Sequence, residues 1–307
     1  MTATITPVKS SIAEKAMLVN LQIKTWGATK EDQDLSRETA RNHGSDEKFL
    51  KTVKKLLDSK RCPTYAKLKS LTSAARDLFY EYTLPWNDGG IRILPSAQYM
   101  EFTSKLATIR NEFESAVPAF IDAYPNLKAE ASYEMNGLFK DDDWPEAAKL
   151  AKKFAIRAKF MPLADASDFR TDLGAAEEAL LKQQWEADMH KLLNRALADV
   201  FRRLRECVKD MTDRVGAFET TPDGKSVKSF RDSAVDNLRE LVASVPKLNV
   251  TNEPLLTEIT DSIRQLLCTH DAQVLRDNYV VRNEVVANAK QVQDVLANVE
   301  SYFGGDE

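Results

Sequence analysis

Residues 172–215 read DLGAAEEALLKQQWEADMHKLLNRALADVFRRLRECVKDMTDRV, with no proline and with their only glycine, Gly174, in the first turn. As one helix this stretch is about 65 Å long at 1.5 Å per residue, more than a compact domain needs. Other helices must pack along it or leave it bare for a second chain. Leu193, Leu197, Val200, Leu204, Cys207 and Met211 step by alternating fours and threes, the spacing of a heptad seam. A second, rotated stripe of Leu181, Trp185, Met189 and Leu192 widens the apolar face, and a face that wide packs on two neighbours. Acids dominate the first half, through Glu177, Glu178, Glu186 and Asp188, and bases the second, an order that suits the helix dipole. That dipole is also the plainer account of Arg202, Arg203 and Arg205; contact with nucleic-acid phosphates is the alternative.

The C-terminal segment, 271–303, repeats the pattern. Val274, Asn278, Val281, Val285, Asn288, Val292, Val295, Val299 and Tyr302 alternate by fours and threes, and asparagines within a valine seam are what a register-fixing contact uses. Between the two long segments, 226–245 reads as an antiparallel helix stopped by Pro246, and a further helix runs from Asn252-Glu253-Pro254 to Leu267.

N-terminal to the rod the pattern is mixed. Val19, Leu21 and Ile23 alternate up to Trp26, as do Phe154, Ile156, Ala158 and Phe160 up to Pro162. Strands near 18–26 and 154–163 are therefore expected to pair in a small antiparallel sheet, with the segment 167–170 as a return strand. Helices are expected over 30–42, 46–58, 63–82, 96–117 and 126–139, with breaks at Pro118 and Tyr124-Pro125. Phe49, Val53, Leu56 and Leu57 would form the inner face of the second of these, and Lys51, Lys54 and Lys55 a basic outer one. Thr83 to Pro95 carries Asn87-Asp88-Gly89-Gly90, a turn between apolar flanks. Trp86, Asn87 and Asp88 form a candidate partner loop, set against the commoner role of a tryptophan that fastens the loop to its helices. Asp141-Asp142-Asp143 lacks the glycine and terminal glutamate of a calcium loop and reads as a helix N-cap. The expected fold class is mainly α (α+β): a long-helix bundle or coiled-coil rod with a small antiparallel β element. Two domains are expected, at 1–170 and 171–307.

Composition excludes several classes of function. The 307 residues are 43% apolar and 29% charged, with net charge −4, a balance that argues against a general nucleic-acid coat. Cys62, Cys207 and Cys268 are far apart and form no CxxC, so neither a disulfide framework nor a zinc site is expected, and a reducing compartment fits. The first residues lack the pattern of a signal peptide, and no apolar run nears 18 residues, so a cytoplasmic protein without membrane contact is expected. The phosphate-loop, dinucleotide, serine-hydrolase and zinc-protease motifs are absent. His43, His190 and His270 stand alone, and no catalytic residue, cofactor or metal is expected.

Three stretches carry a family resemblance: Met17 to Leu21 with Trp26-Gly27-Ala28 and Asp32; Thr83-Leu84-Pro85-Trp86 through Arg92-Ile93-Leu94-Pro95; and Phe230-Arg231-Asp232-Ser233 through Asn237 to Leu241. Together they resemble a family of proteins from tailed bacteriophages and their bacterial hosts. That family is often encoded beside a MoxR-type AAA+ ATPase and a von Willebrand A-type protein. The resemblance covers nearly the whole chain, implies the cytoplasm of an infected bacterium and an AAA+ ATPase as partner, and supplies no catalytic residues. Residues and resemblance converge on a non-enzymatic, self-assembling scaffold or adaptor. Its helix-packing or homo-oligomer seam would be Leu193, Leu197, Val200, Leu204, Val281, Val285, Asn288, Val292, Val295 and Val299. The alternative is a nucleic-acid-binding or host-inhibiting module using Lys51, Lys54, Lys55, Arg202 and Arg203. A membrane-active tongue at 154–163 is a third, weaker idea, because Arg157 and Lys159 make it polar.

Overall fold

The computed structural model describes residues 9–87, 89–164, 175–220, 226–228 and 230–304. Helix α1 (Lys9–Lys15) leads into strand β1 (Ala16–Lys24), followed by β2 (Thr29–Glu31), α2 (Gln33–Asn42), β3 (Val53–Lys55) and α3 (Pro63–Tyr82). The hairpin of β4 (Leu84–Pro85) and β5 (Ile91–Pro95) precedes α4 (Tyr99–Met135), α5 (Ala147–Ala151) and β6 (Ala155–Pro162). The rod is α6 (Ala175–Gly216). After it come the small hairpin of β7 (Glu219–Thr220) and β8 (Ser226–Lys228), then α7 (Ser233–Leu248), α8 (Pro254–Leu267), α9 (Ala272–Asp277) and α10 (Tyr279–Gly304). The protein is mainly α with a small antiparallel β element.

The chain forms two compact units. One contains Met1–Asn20, Tyr82–Tyr99 and Phe160–Glu307; the other contains Leu21–Glu81 and Met100–Lys159. This differs from a division at residue 170, because α1, the start of β1 and the β4–β5 hairpin belong with the C-terminal helices. The reason is hydrophobic: Ile12, Ala16, Leu84, Trp86 and Ile93 share one core with the buried faces of α6, α7, α8 and α10.

In this first unit α6 is the axis, packed by α10, α7 and β4. Its buried face holds Leu193, Ala196, Leu197, Val200, Phe201, Leu204, Val208, Met211 and Val215, wide enough to serve several neighbours. β5 pairs antiparallel with β1, from Ala16 opposite Pro95 to Asn20 opposite Ile91, and with β4 on its other edge. The sheet order is β4-β5-β1-β6, so the two strands expected from alternation are neighbours. The expected return strand at 167–170 lies outside the described residues.

In the second unit α3 begins at Pro63, whose missing N–H costs nothing in a first turn. α4 runs unbroken through Pro118 and Pro125, against the expected breaks. Both prolines face outward, where carbonyls left unpaired meet water, while Phe113, Phe120 and Tyr124 hold the inner face. Trp26, Tyr65, Phe120, Tyr124, Trp144 and Phe154 form a connected aromatic core with ring centroids 5.5–6.3 Å apart. The Tyr65 hydroxyl donates to the Trp26 carbonyl at 2.9 Å, and that of Tyr124 to the Pro145 carbonyl at 2.8 Å.

Three further expectations change. The helix expected over 46–58 is a single 3-10 turn (Glu47–Phe49) followed by β3. Phe49 and Val53 are consequently exposed, and of the supposed inner face Leu56 alone is fully buried. The helix expected over 226–245 begins only at Ser233, runs past Pro246, and leaves Val227 on β8. The C-terminal helix is interrupted at Asn278, whose side chain accepts hydrogen bonds from the Val280 and Val281 N–H groups and so caps α10.

Candidate functional site

The seams come first, because the assembly reading depends on them. Leu193, Leu197, Val200 and Leu204 are buried within the chain, and α10 packs along α6. On α10 the observed stripe is Arg282, Val285, Ala289, Val292 and Leu296, with Val299 and Phe303 packed beside it. It keeps the heptad spacing, but every second position falls one residue later than expected. Val285 and Val292 are shared, Val281 and Asn288 are half-buried at the flank, and Val295 faces solvent, 49% exposed. A polar contact inside this interface comes from Gln293, whose amide donates to the Thr212 hydroxyl at 2.9 Å. Arg282 takes a seam position by donating to the Leu275 and Arg276 carbonyls at 2.8 and 3.2 Å, at the C-terminal end of α9. Val292→Asp is therefore expected to cost about 3 kcal/mol or more, by burying a charge without a partner. Val295→Asp should change stability by less than about 0.5 kcal/mol. Urea denaturation of both variants checks this register, and equal costs would overturn it.

The candidate partner loop closes on itself. Trp86 is buried in the core of the first unit, so it fastens the loop in place. The Asn87 side chain is exposed and accepts from the Gly89 N–H at 3.2 Å, an Asx turn. Asp88 lies outside the described residues.

The basic segment of the second unit divides. Lys51 and Lys55 are exposed on and beside β3, with Lys51 2.7 Å from Glu31. Lys54, proposed from sequence as a nucleic-acid contact, points inward and is buried, so it cannot serve as one. Its ammonium lies 2.7 Å from Asp143 and 3.1 Å from Asp32, and donates to the Leu138 carbonyl at 2.9 Å. Asp32 also caps α2, accepting from the Leu35 N–H at 3.1 Å. That backbone bond and Lys54 hold its carboxyl below the usual carboxylate range. Burial works against the charge on Lys54, but hydrogen bonds to Asp143 and Asp32 outweigh it and keep its pKa above the ordinary lysine value. Asp143 is thus an ion-pair partner and not the helix cap expected; Asp141 pairs with Lys128 at 2.6 Å. A cleft of about 370 Å³ opens beside the network, lined also by Lys30, Gln33, Asp34 and Lys140. The Lys54 ammonium is thus engaged by two carboxylates and a carbonyl that come from separate stretches of the unit, and it ties them together.

On α6, Asp199 is the hub that sequence reasoning missed. Arg202 donates to its Oδ1, and Arg203 reaches its Oδ2 at 2.6 Å and donates to the Thr83 carbonyl at 2.7 Å. Arg203 is thereby half-buried and turned to the interior, which removes it as a phosphate contact; Arg202 is exposed and also pairs with Glu206. Arg92 donates to the Thr83 hydroxyl at 2.7 Å and lies 4.0 Å from Asp199. Arg205 pairs with Glu300 of α10 at 2.9 Å. The sequence signal for this hub was slight: an acid placed three and four residues before two arginines. A cleft of about 740 Å³ lies over these residues, between α6, α10 and Pro85.

Two further surfaces bear on function. From 176 to 190, α6 contains no buried residue: Leu180 is 55% exposed, and Leu181, Trp185 and Met189 are half-buried. Burial pushes Cys207 up to about 11 and raises Cys268, so neither supplies thiolate near neutrality. Among the described residues no group of three or more His, Cys, Asp or Glu side chains stands close enough to hold a metal, and no helix is long and apolar enough to cross a membrane. Compared with models of protein families, with curated proteins and with solved structures, the chain matches none.

Proposed function

We propose that the protein is a non-enzymatic scaffold or adaptor that assembles through the N-terminal turns of α6. The observation that carries this is the run of about four turns, 176–190, in which no residue is buried although apolar side chains recur. A helical segment gains most of its stability from packing an apolar face, and here that face is only half covered. Glu177, Glu178, Glu186 and Asp188 make the segment acidic, which gives a partner both an apolar strip and a charge to read. The heptad seams are occupied within the chain, so this reading places assembly on the outer side of 176–190 and not on them. A second copy is the first partner proposed. A MoxR-type AAA+ ATPase, in the cytoplasm of a phage-infected bacterium, is the partner the family resemblance implies.

Light scattering across a range of concentration and salt tests this. The wild type is expected to form a discrete multimer of the 34.6 kDa chain. Leu180→Asp with Leu181→Asp should return it to the monomer mass with its helical circular dichroism retained. A wild type that stays monomeric at every concentration would overturn self-assembly.

A second reading, nucleic-acid binding, is supported by one observation in the other unit. Phe49 is 77% exposed, with the Lys48 ammonium 5.0 Å from its ring centre and Lys51 and Lys55 nearby in sequence. An exposed ring among cations is a base-stacking platform. Binding of single-stranded oligonucleotides that weakens steeply with salt would favour it.

A further inference from the structure

The cleft over Asp199 has features that helix packing alone does not call for. It is lined from α6 by Lys191, Arg195, Arg202 and Arg205, and from α10 by Glu300 and Phe303. Ala198 and Ala297 line it from the two facing helices, and two such short side chains leave a hollow where longer ones would interdigitate. The result is a space of about 740 Å³, within the range of small-molecule sites. Lining charge is biased: four cations against the carboxylates of Asp199 and Glu300, in a protein whose net charge is −4.

Those carboxylates are also engaged in a way that fixes the cations. Asp199 takes Arg203 on one oxygen and Arg202 on the other, and Glu300 takes Arg205 at 2.9 Å. The guanidinium planes of Arg202 and Arg205 are therefore held in place before any ligand arrives, which reduces the ordering cost of binding. Each guanidinium has five N–H donors, so donors remain on Arg202 after it engages Asp199 and Glu206 and on Arg205 after it engages Glu300. Lys191, at the outer end of the same helix face, is exposed and forms no ion pair among the described residues. The Phe303 ring, stacked on Phe201 with centroids 5.5 Å apart and planes 16° from parallel, supplies an apolar wall.

We propose that this α6–α10 cleft is a binding site for a small ligand bearing two or more phosphates, of the size of a nucleoside di- or triphosphate. Lys191, Arg195, Arg202 and Arg205 hold the phosphates, and Phe303 borders the remainder. This goes beyond the scaffold reading and does not depend on it, because the segment 176–190 lies outside the cleft.

Calorimetric titration of the full chain with inorganic pyrophosphate and, separately, with ATP in metal-free buffer tests the site. One-to-one, saturable binding of at least one probe is expected. Lys191→Glu combined with Arg202→Gln should weaken it by about ten-fold or more. Ala198→Gln, which fills the hollow and leaves the charge unchanged, should do the same. Lys209→Glu, which reverses one charge at an exposed position of α6 outside the cleft as Lys191→Glu does inside it, should leave binding within about two-fold. Circular dichroism and thermal melting of each variant separate loss of the site from loss of the fold. Tighter binding of ATP than of pyrophosphate would add the wall of Phe303 to the site; equal binding would confine recognition to the phosphates. No binding of either probe by the wild type overturns the proposal. So does an equal effect of Lys209→Glu, or binding of duplex DNA in the absence of pyrophosphate binding, since each would mark a diffuse electrostatic surface.

Discussion

Lys54→Ala is expected to lower the stability of the protein by about 3 kcal/mol, with the carboxylates of Asp32 and Asp143 left nearly buried and without their cation. Removing one partner of a buried ion pair costs about 3–5 kcal/mol, and the neighbouring cleft, which lets water approach, places this case at the lower end. The loss should depend on pH in a defined way. Asp32 has a folded-state pKa below its unfolded value, so its contribution is fully present above about 4 and is lost as pH falls through the folded pKa. Lys54 has a raised pKa, so its contribution is present below its ordinary value of 10.5 and is lost as pH rises through the folded one. Between those limits the wild type should hold a plateau. In the variant the stranded Asp32 carboxylate can escape its penalty by protonation, so the difference from wild type should be greatest near neutrality and shrink below about pH 4. Urea denaturation at pH 3.5 and at pH 7 measures this. A deficit that is the same at both would mean that lost packing, and not stranded charge, sets the cost.

Phe120→Ala should cost still more, about 4 kcal/mol. The ring is fully buried and lies 5.5–6.3 Å, centroid to centroid, from Trp26, Tyr65, Tyr124 and Phe154. Those neighbours come from four separate stretches of the chain, so they cannot all collapse into the space left behind. The cavity term then adds to the lost transfer free energy, as it does wherever a site relaxes only in part. Chemical denaturation followed by tryptophan fluorescence gives the value, and near-ultraviolet circular dichroism should show the aromatic core loosened in the folded state. A cost below about 1 kcal/mol would mean that the cluster repacks freely and is not the keystone of its unit.

How far the sequence could be read follows from where charge and phase enter. The rod was legible because its apolar period persists over ten turns without a breaker, and only one element type fits that. The C-terminal seam was legible in spacing and misread in phase. The stripes through Asn288 and Val295 and through Ala289 and Leu296 share Val285 and Val292, so only alternate positions move by one residue and the face as a whole turns by about 50°. Only the neighbouring helix decides between them, and the deciding contacts, Arg282 on the α9 carbonyls and Gln293 on Thr212, are polar and carry no hydrophobic signal. The 46–58 segment failed for a related reason. β3 alternates as a strand should, exposed Val53, buried Lys54, exposed Lys55, but its inward residue is a lysine, so hydrophobicity pointed the wrong way. Pro118 and Pro125 were read as breaks because local propensity is all that sequence offers there; the aromatic face of α4 overrides it. The candidate cleft was half visible. Its arginines stood out as a run, but the two alanines that open it and the acids that fix it come from helix faces whose pairing only the folded chain reveals.

The interleaving of the two units sets a timetable for synthesis. Ala16 belongs to the same core as Leu296, so the first strand leaves the ribosome roughly 15–60 s before its last partners at ordinary elongation rates. The unit made of Leu21–Glu81 and Met100–Lys159 has all its residues once Lys159 emerges, whereas Ile12, Ala16, Leu84 and Ile93 must wait through the making of α6, α7, α8 and α10. Closing so long a loop costs entropy before any contact repays it. During that wait an apolar hairpin stands uncovered on the nascent chain.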